Sequence, residues 1–337
     1  MKVGILGTGS WGTALAQVLV DNGNDVLLWG IDEKEVEDIN VNHHNSKFYP
    51  NPLAEGIKAT LEIKELGNRD AYVLAVPSVV LETTIEKLLP YLDKKTIFIN
   101  VAKGFHPVTH ERLSVVLNRC IQKEYNAGVV SLIGPSHAEE VIERKITVVN
   151  AVCEYEEVSK KVQEAFSNNY FRVYRNTDVI GAEIGVAIKN VMAIASGILE
   201  GIGQGDNARA ALITRGLAEM TRFGIMMGGK KETYLGLDGV GDLIVTCSSK
   251  HSRNFNAGYQ IGKDGGAKHF METNTKTVEG ISACKVVNEI AKEKGMEMPI
   301  VQEVYAVLFE NKKPEVALED LMSRELKSES MKEYNKE

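Results

Sequence analysis

A lysine set into an otherwise apolar stretch is the feature of this sequence with the most chemical promise. Lys189 separates Ile184-Gly185-Val186-Ala187-Ile188 from Val191-Met192-Ala193-Ile194-Ala195, two halves of what reads as one helix. Taking an ammonium out of water lowers its pKa towards the working pH, as a proton shuttle requires. The alternative is that Lys189 snorkels outwards on a polar stripe with Asn190. Further along, Gly239-Val240-Gly241-Asp242 precedes the apolar run Leu243-Ile244-Val245-Thr246. Asp242 can cap that helix, or it can anchor a lysine or a substrate hydroxyl with Thr246 one turn away on the same face. His251-Ser252-Arg253-Asn254 opens another helix, and an arginine beside a helix N-terminus is a fitting receptor for phosphate. An exposed arginine on a polar turn is the competing reading.

Two more polar clusters follow β-rich runs. Lys103 comes directly after the run 96–101, and Gly134-Pro135-Ser136-His137-Ala138 after the run 129–133. In an open α/β sheet ligands bind at the carboxyl ends of strands, so Lys103 can meet an anion and Ser136 a polar ligand. A solvated loop lysine and a plain helix cap are the alternatives. His137 has no histidine or cysteine beside it in the sequence.

These groups need a scaffold, and the chain opens with one. After the apolar run Val3-Gly4-Ile5-Leu6 come Gly7, Gly9 and Gly12 at G-x-G-x-x-G spacing, then small and apolar residues at helical spacing. This predicts strand, tight turn and helix, the opening of a dinucleotide-binding unit. The helix from Ser10 ends near Asn22-Gly23-Asn24, and Asp25-Val26-Leu27-Leu28-Trp29 is the second strand. Asp32 follows Gly12 by 20 residues, where an acid can bond ribose hydroxyls; it can equally cap a helix beginning at Glu33. Further strands are predicted at 71–76, 96–101, 129–133 and 146–149, giving a mostly parallel sheet. Beyond about residue 178 the pattern turns helical. The fold expected is α/β: an N-terminal Rossmann-type dinucleotide-binding domain over 1–178, a C-terminal all-helical substrate domain over 179–326, and a charged tail over 327–337.

Bulk properties narrow the function class. A chain of 337 residues with 44% hydrophobic and 25% charged residues is ordinary for a globular protein of two domains. No uninterrupted apolar run has the length of a membrane span, and the first strand begins too early for a signal peptide, so a cytoplasmic protein is expected. Cys120, Cys153, Cys247 and Cys284 are dispersed without a C-x-x-C pair, which points to neither zinc nor redox chemistry. A net charge of −7 argues against nucleic acid as a partner. Anionic small molecules then require the local cations named above. The oligomeric state is left open, a homodimer being the assembly considered.

Taken together, the stretches GILGTGSWGTALA from Gly4, GPSHAEE from Gly134, AIKNVMAIASGILEG from Ala187, GDNARAALITRGLAEM from Gly205, GVGDLIVTCSSKHSRN from Gly239, VEGISA from Val278 and LMSRELKSE from Leu321 closely resemble the bacterial NAD(P)-dependent glycerol-3-phosphate dehydrogenase family. The resemblance implies that Lys189 is the general acid and base, and that Lys103, Gly134, Ser136, Asp242, Ser252, Arg253 and Asn254 bind substrate, with Asn190 and Thr246 in support. It implies that Ser10, Trp11, Tyr49, Lys103, Ala138, Arg253, Thr277 and Glu279 meet NAD(P)H, alongside the three glycines. The implied reaction is reduction of dihydroxyacetone phosphate to sn-glycerol 3-phosphate, for phospholipid synthesis, without a metal. One departure stands out: where the family commonly carries an arginine or histidine able to meet a 2′-phosphate, this chain has Gly30-Ile31-Asp32. NADH is therefore expected to serve at least as well as NADPH. The rival readings are a keto-acid reductase of the ketopantoate type and a non-catalytic nucleotide sensor on the same fold.

Overall fold

The structure, a computed structural model, describes residues 1–326, 328 and 329; the rest of the tail expected over 327–337 lies outside the described residues. In the first half of the chain, β1 (Lys2–Leu6), β2 (Asp25–Trp29), β3 (Lys58–Thr60), β4 (Ala71–Leu74), β5 (Thr96–Asn100), β6 (Asn126–Ile133), β7 (Thr147–Val152) and β8 (Phe171–Asn176) form one sheet. Their order is β3-β2-β1-β4-β5-β6-β7-β8. All neighbours run parallel except β6 and β7, where Ile133 pairs Asn150 in an antiparallel step.

The helices of this half are α1 (Ser10–Asp21), α2 (Glu33–Glu37), α3 (Leu81–Leu88), α4 (Leu113–Cys120), α5 (Ala138–Ile142) and α6 (Glu156–Phe166). They cover both faces of the sheet, which is why its central strands are apolar without a break. Alternate residues face opposite cores. Ile5, Val73, Ile97 and Ile99 pack with Leu15, Val18 and Val162, whereas Leu6, Tyr72, Leu74 and Phe98 pack with Leu81, Ile85, Leu113 and Leu117. The strands expected from the sequence are present. Two were not foreseen: β3, which is only three residues long, and β8, whose alternation of buried Phe171 and Val173 with exposed Arg172 and Tyr174 is that of an edge strand.

The second half is helical: α7 (Val179–Gly201), α8 (Asp206–Met226), α9 (Lys231–Tyr234), α10 (Asp242–Ser248), α11 (Arg253–Lys263), α12 (Lys268–Thr273), α13 (Glu279–Glu293), α14 (Pro299–Phe309) and α15 (Pro314–Met322). Its core is built around α7. Averaged over 18 residues, α7 is long and apolar enough to cross a membrane, with a mean hydropathy of 1.5, but 94% of that window is buried inside the protein. It is therefore the core helix of this half, a feature that a search for unbroken apolar runs overlooks.

Two further contacts fix what α7 carries. Glu183 on α7 is buried against the first half of the chain: it accepts from Ser114 N at 2.9 Å, Ser114 Oγ at 2.6 Å and Arg112 at 3.1 Å. Burial pushes its carboxyl pKa up, against the pull of Ser114 and Arg112. On its other side α7 crosses α11 at backbone contact. A Cβ on Gly197 would lie 2.0 Å from Phe255 O, and one on Gly258 2.0 Å from Ile194 O. A main-chain oxygen has no rotamer with which to yield, so a methyl group there must push the helices apart. Gly258→Ala is thus expected to lower stability by about 1–3 kcal/mol, the usual cost of overpacking, read as a lower midpoint in urea unfolding. A variant as stable as the parent would show that α7 and α11 do not touch in this way.

Candidate active site

Two strand ends and the helices α7 and α10 converge on Lys189. The side chain does not snorkel: Lys189 is 1% exposed, and its ammonium forms an ion pair with Asp242, itself 2% exposed. Asp242 does not cap its helix either. It is the first residue of α10, Gly241 holds the cap position, and the carboxylate turns inwards to the lysine. Thr246, one turn on, donates to Asp242 O at 2.6 Å and lies 3.4 Å from its Oδ1. The turn that delivers Asp242 is itself tied to β8, because Asp238 accepts from Asn176 Nδ2 at 2.8 Å. Burial pushes the Asp238 carboxyl up to about 7.

Opposing forces set the state of Lys189. Burial lowers its pKa, the Asp242 carboxylate raises it and the Lys103 ammonium lowers it again, leaving it at about 8. A lysine so placed changes charge near neutral pH, whereas burial pushes the neighbouring Cys247 thiol up to about 12 and leaves the sulfur protonated. Next to Lys189, Asn190 is 2% exposed and its Nδ2 has no hydrogen-bond partner among the described residues. A buried amide donor without a partner is costly unless a ligand meets it.

The polar clusters after β5 and β6 arrive at this pair. Lys103 follows β5 and is felt electrostatically by both Lys189 and His137. After β6, Ser136 donates to Gly134 O at 3.0 Å. Gly134 has φ +149, and a Cβ there would lie 2.9 Å from Val149 Cα. His137 does have a histidine neighbour, contrary to its isolation in the sequence: the His251 ring lies 5.6 Å away, brought in by the loop before α11. Burial, then Lys103, lowers the His137 pKa, so this ring is neutral at physiological pH. At the start of α11, Ser252 accepts from Phe255 N at 3.2 Å as the helix cap. Asn254 is buried and accepts from Gly280 N at 2.8 Å through Oδ1. Arg253 is half-exposed and bonded to Glu279 at 2.6 Å.

The glycine turn fits a dinucleotide. Gly7 has φ +121, and a Cβ on it would lie 2.5 Å from Ala75 O; on Gly12 it would lie 2.2 Å from Gly7 O. Above Gly9 a Cβ would meet nothing within 4 Å, and no side chain caps α1. The start of α1 is thus uncapped and open above Gly9, an arrangement suited to a pyrophosphate. Ser10 and Trp11 are half-buried at this helix start, Ala138 begins α5 beside α1, and Tyr49 OH donates to Ser10 O at 2.6 Å. Asp32 caps α2, accepting from Lys34 N at 3.0 Å and Glu35 N at 3.4 Å. Neither Asp32 nor the exposed Thr277, just ahead of α13, reaches Lys189 by any bond described here.

Sequence reasoning missed Glu183, which anchors α7, and the approach of His251 to His137. A charge interrupting an apolar helix was the signal that singled out Lys189, and the same signal marks Glu183. Nothing local in the sequence announces the histidine contact.

Known proteins align with this architecture from end to end. The family model for the NAD-dependent glycerol-3-phosphate dehydrogenase N-terminus matches residues 2–159, and that for the C-terminus matches residues 178–319. A glycerol-3-phosphate dehydrogenase [NAD(P)+] of Streptococcus equi subsp. zooepidemicus is 46% identical over 331 residues, covering 98% of each chain. One from Staphylococcus aureus is 46% identical over 97% of this chain and 99% of its own. The crystal structure of the Coxiella burnetii glycerol-3-phosphate dehydrogenase superposes with a TM-score of 0.85 at 36% identity, over 96% of this chain and 99% of that one. Matched in both halves and nearly half identical to whole relatives, this chain belongs to the NAD-dependent glycerol-3-phosphate dehydrogenase family.

Proposed function

We propose that the chain reduces dihydroxyacetone phosphate to sn-glycerol 3-phosphate, reversibly, with NAD(P)H, the product serving phospholipid synthesis. The observation that carries the reading is the buried Lys189–Asp242 pair, a lysine poised at about 8 beside an Asn190 Nδ2 that has no partner among the described residues. When bound, the reduced nicotinamide supplies hydride to the ketone carbon. Lys189 gives its proton to the oxygen that becomes the hydroxyl, and in the reverse direction its neutral amine takes that proton. Asp242 keeps the ammonium in place, and Thr246 keeps Asp242 in place. Lys103, Ser136, Asn190 and Asn254 orient the substrate oxygens. Arg253, with the start of α11, grips the phosphate, so that binding energy remote from the ketone positions it. A ligand phosphate would compete with Glu279 for Arg253, which makes Glu279 the resting partner of that arginine.

In this reading residues 1–178 hold the dinucleotide and 179–326 the substrate, with the junction between β8 and α7. Gly7, Gly9, Gly12, Ser10, Trp11, Tyr49 and Ala138 line the pyrophosphate and nicotinamide side, Thr277 and Glu279 close over it, and Asp32 faces the ribose. Ile31 is 84% exposed at the end of β2 and brings no charge to a 2′-phosphate, which supports NADH as at least the equal of NADPH. Identity across both halves favours this dehydrogenase over the keto-acid reductase.

Lys189→Ala is expected to lower kcat about a hundredfold to ten-thousandfold, the usual share of a general acid or base, while NADH binding persists. It also leaves Asp242 buried and unpaired, at a cost of about 3–5 kcal/mol. Lys189→Met/Asp242→Asn should recover that stability and stay inactive, and an active, folded double variant would refute the role. Ketone reduction needs the Lys189 ammonium, so its kcat should fall as pH rises through about 8; alcohol oxidation needs the amine, so its kcat should rise there. Since Asp242 holds the pKa up, Asp242→Asn should move both midpoints to lower pH, and midpoints that stay put would separate Lys189 from the proton transfer. Arg253→Ala should raise KM for dihydroxyacetone phosphate about ten- to a hundredfold, the worth of one charge-assisted hydrogen bond. With unphosphorylated dihydroxyacetone the same variant should lose almost nothing; an equal loss would remove Arg253 from the phosphate.

A further inference from the structure

At the carboxyl end of β2 the side chains form an ion cluster that the proton chemistry leaves unused. Lys47 Nζ lies 2.5 Å from Glu35 Oε1 and 3.3 Å from Asp32 Oδ2. The other oxygen of Glu35 accepts from Thr8 Oγ1, inside the glycine turn, at 2.5 Å. Asn45 Nδ2 reaches Thr8 O at 2.8 Å and Tyr49 OH reaches Ser10 O at 2.6 Å, so the segment bearing Lys47 is fastened to that turn on both sides. The Glu35 side chain is 10% exposed and that of Lys47 58% exposed. A cavity of about 450 Å³ opens here, and its charged lining is Asp32, Glu35, Glu37 and Asp38 against Lys34 and Lys47. Four carboxylates thus face two ammonium groups.

We propose that Glu35, acting through Lys47, sets the choice between NADH and NADPH; the inference rests on the cofactor site proposed above. A 2′-phosphate carries between one and two negative charges and needs a cation to receive it. Lys47 is a cation on a segment fastened to the glycine turn, and Glu35 holds it in an internal ion pair. Its hydrogen bond to Glu35, then that to Asp32, keeps the ammonium firmly protonated. A phosphate entering the cavity must break that pair and meet the carboxylates it uncovers. A ribose hydroxyl meets no such opposition, because it is neutral and can donate to Asp32. Glu35 is therefore a positioning residue and Lys47 the group it withholds. Glutamine at position 35 keeps an oxygen for Thr8 and removes the charge that holds Lys47, which makes Glu35→Gln the decisive variant.

The test measures binding of NADH and of NADPH separately, by nicotinamide fluorescence without ketone, to the full chain and its variants. The parent should bind NADH at least as tightly as NADPH. Glu35→Gln should tighten NADPH about tenfold relative to NADH, and Glu35→Gln/Lys47→Ala should lose most of that gain. Lys47→Ala alone should weaken NADPH more than NADH, because both carboxylates are then uncovered. An affinity ratio unchanged in both single variants overturns the proposal, as does a gain that survives intact without Lys47. Gly9→Val, whose Cβ would meet nothing of the protein within 4 Å, tells this failure from that of the cofactor site itself. If it abolishes binding of both nucleotides while the ratio stays fixed in the position 35 and 47 variants, the selectivity mechanism alone is wrong. If it binds both as the parent does, the cofactor site is wrong and the proposal falls with it.

Discussion

The rest of this structure depends on the rule that a charge buried in an apolar helix must be matched. α7 carries two such charges through the core of the second half, and each finds its partners in a different part of the chain. Glu183 takes Arg112 and Ser114 from the first half, and Lys189 takes Asp242 from α10. Either charge left alone would cost several kcal/mol, at about 3–5 kcal/mol for a broken buried pair. Matching both fixes α7 in rotation and along its axis, and so sets the height at which Lys189 meets the strand ends. Structural demands and the proposed chemistry thus fall on the same helix: the charge that anchors it and the lysine proposed to react are less than two turns apart.

Backbone contact between α7 and α11 extends this registration to the start of α11. Glycines at the crossing bring main chain against main chain, and the start of α11 carries Ser252, Arg253 and Asn254. Asn254 in turn holds Gly280 at the head of α13, where Glu279 meets Arg253. Main chain packed on main chain leaves little slack between Lys189 on α7 and Arg253 at the start of α11. Within a proton-transfer site such rigidity matters, because misplacement by about 1 Å can cost about a hundredfold in rate.

Much of this was legible in the residues. The glycine turn, α1, β2, the central strands and the long helix around Lys189 announce themselves through local pattern, because each buries a face whose period belongs to its own element. The edge strands β3 and β8 do not, since one is short and the other half polar. The residues of the candidate site could be named from the sequence one by one, but their pairings could not. Whether Lys189 turned inwards or outwards, and whether Asp242 capped a helix or met a lysine, was undecided by periodicity; the answer depended on residues 53 positions apart meeting in space. His251 beside His137 and Lys47 over Glu35 are contacts of the same kind, made by loops whose course no local preference dictates.

The burial of Lys189 and Asp242, against the exposure of Arg253 and Lys47, divides the site by its response to ionic strength. At about 0.15 M salt mobile ions screen exposed charges over about 8 Å but do not penetrate a dry core. The Lys189–Asp242 pair is sealed from them, while Arg253 and Lys47 stand at the rim with more than half of each side chain in solvent. In the roles proposed for them, raising salt loosens the hold of Arg253 on an anionic ligand and leaves the surroundings of Lys189 unchanged. Its exposed charges are tuned by the medium, and its buried ion pair is insulated from it.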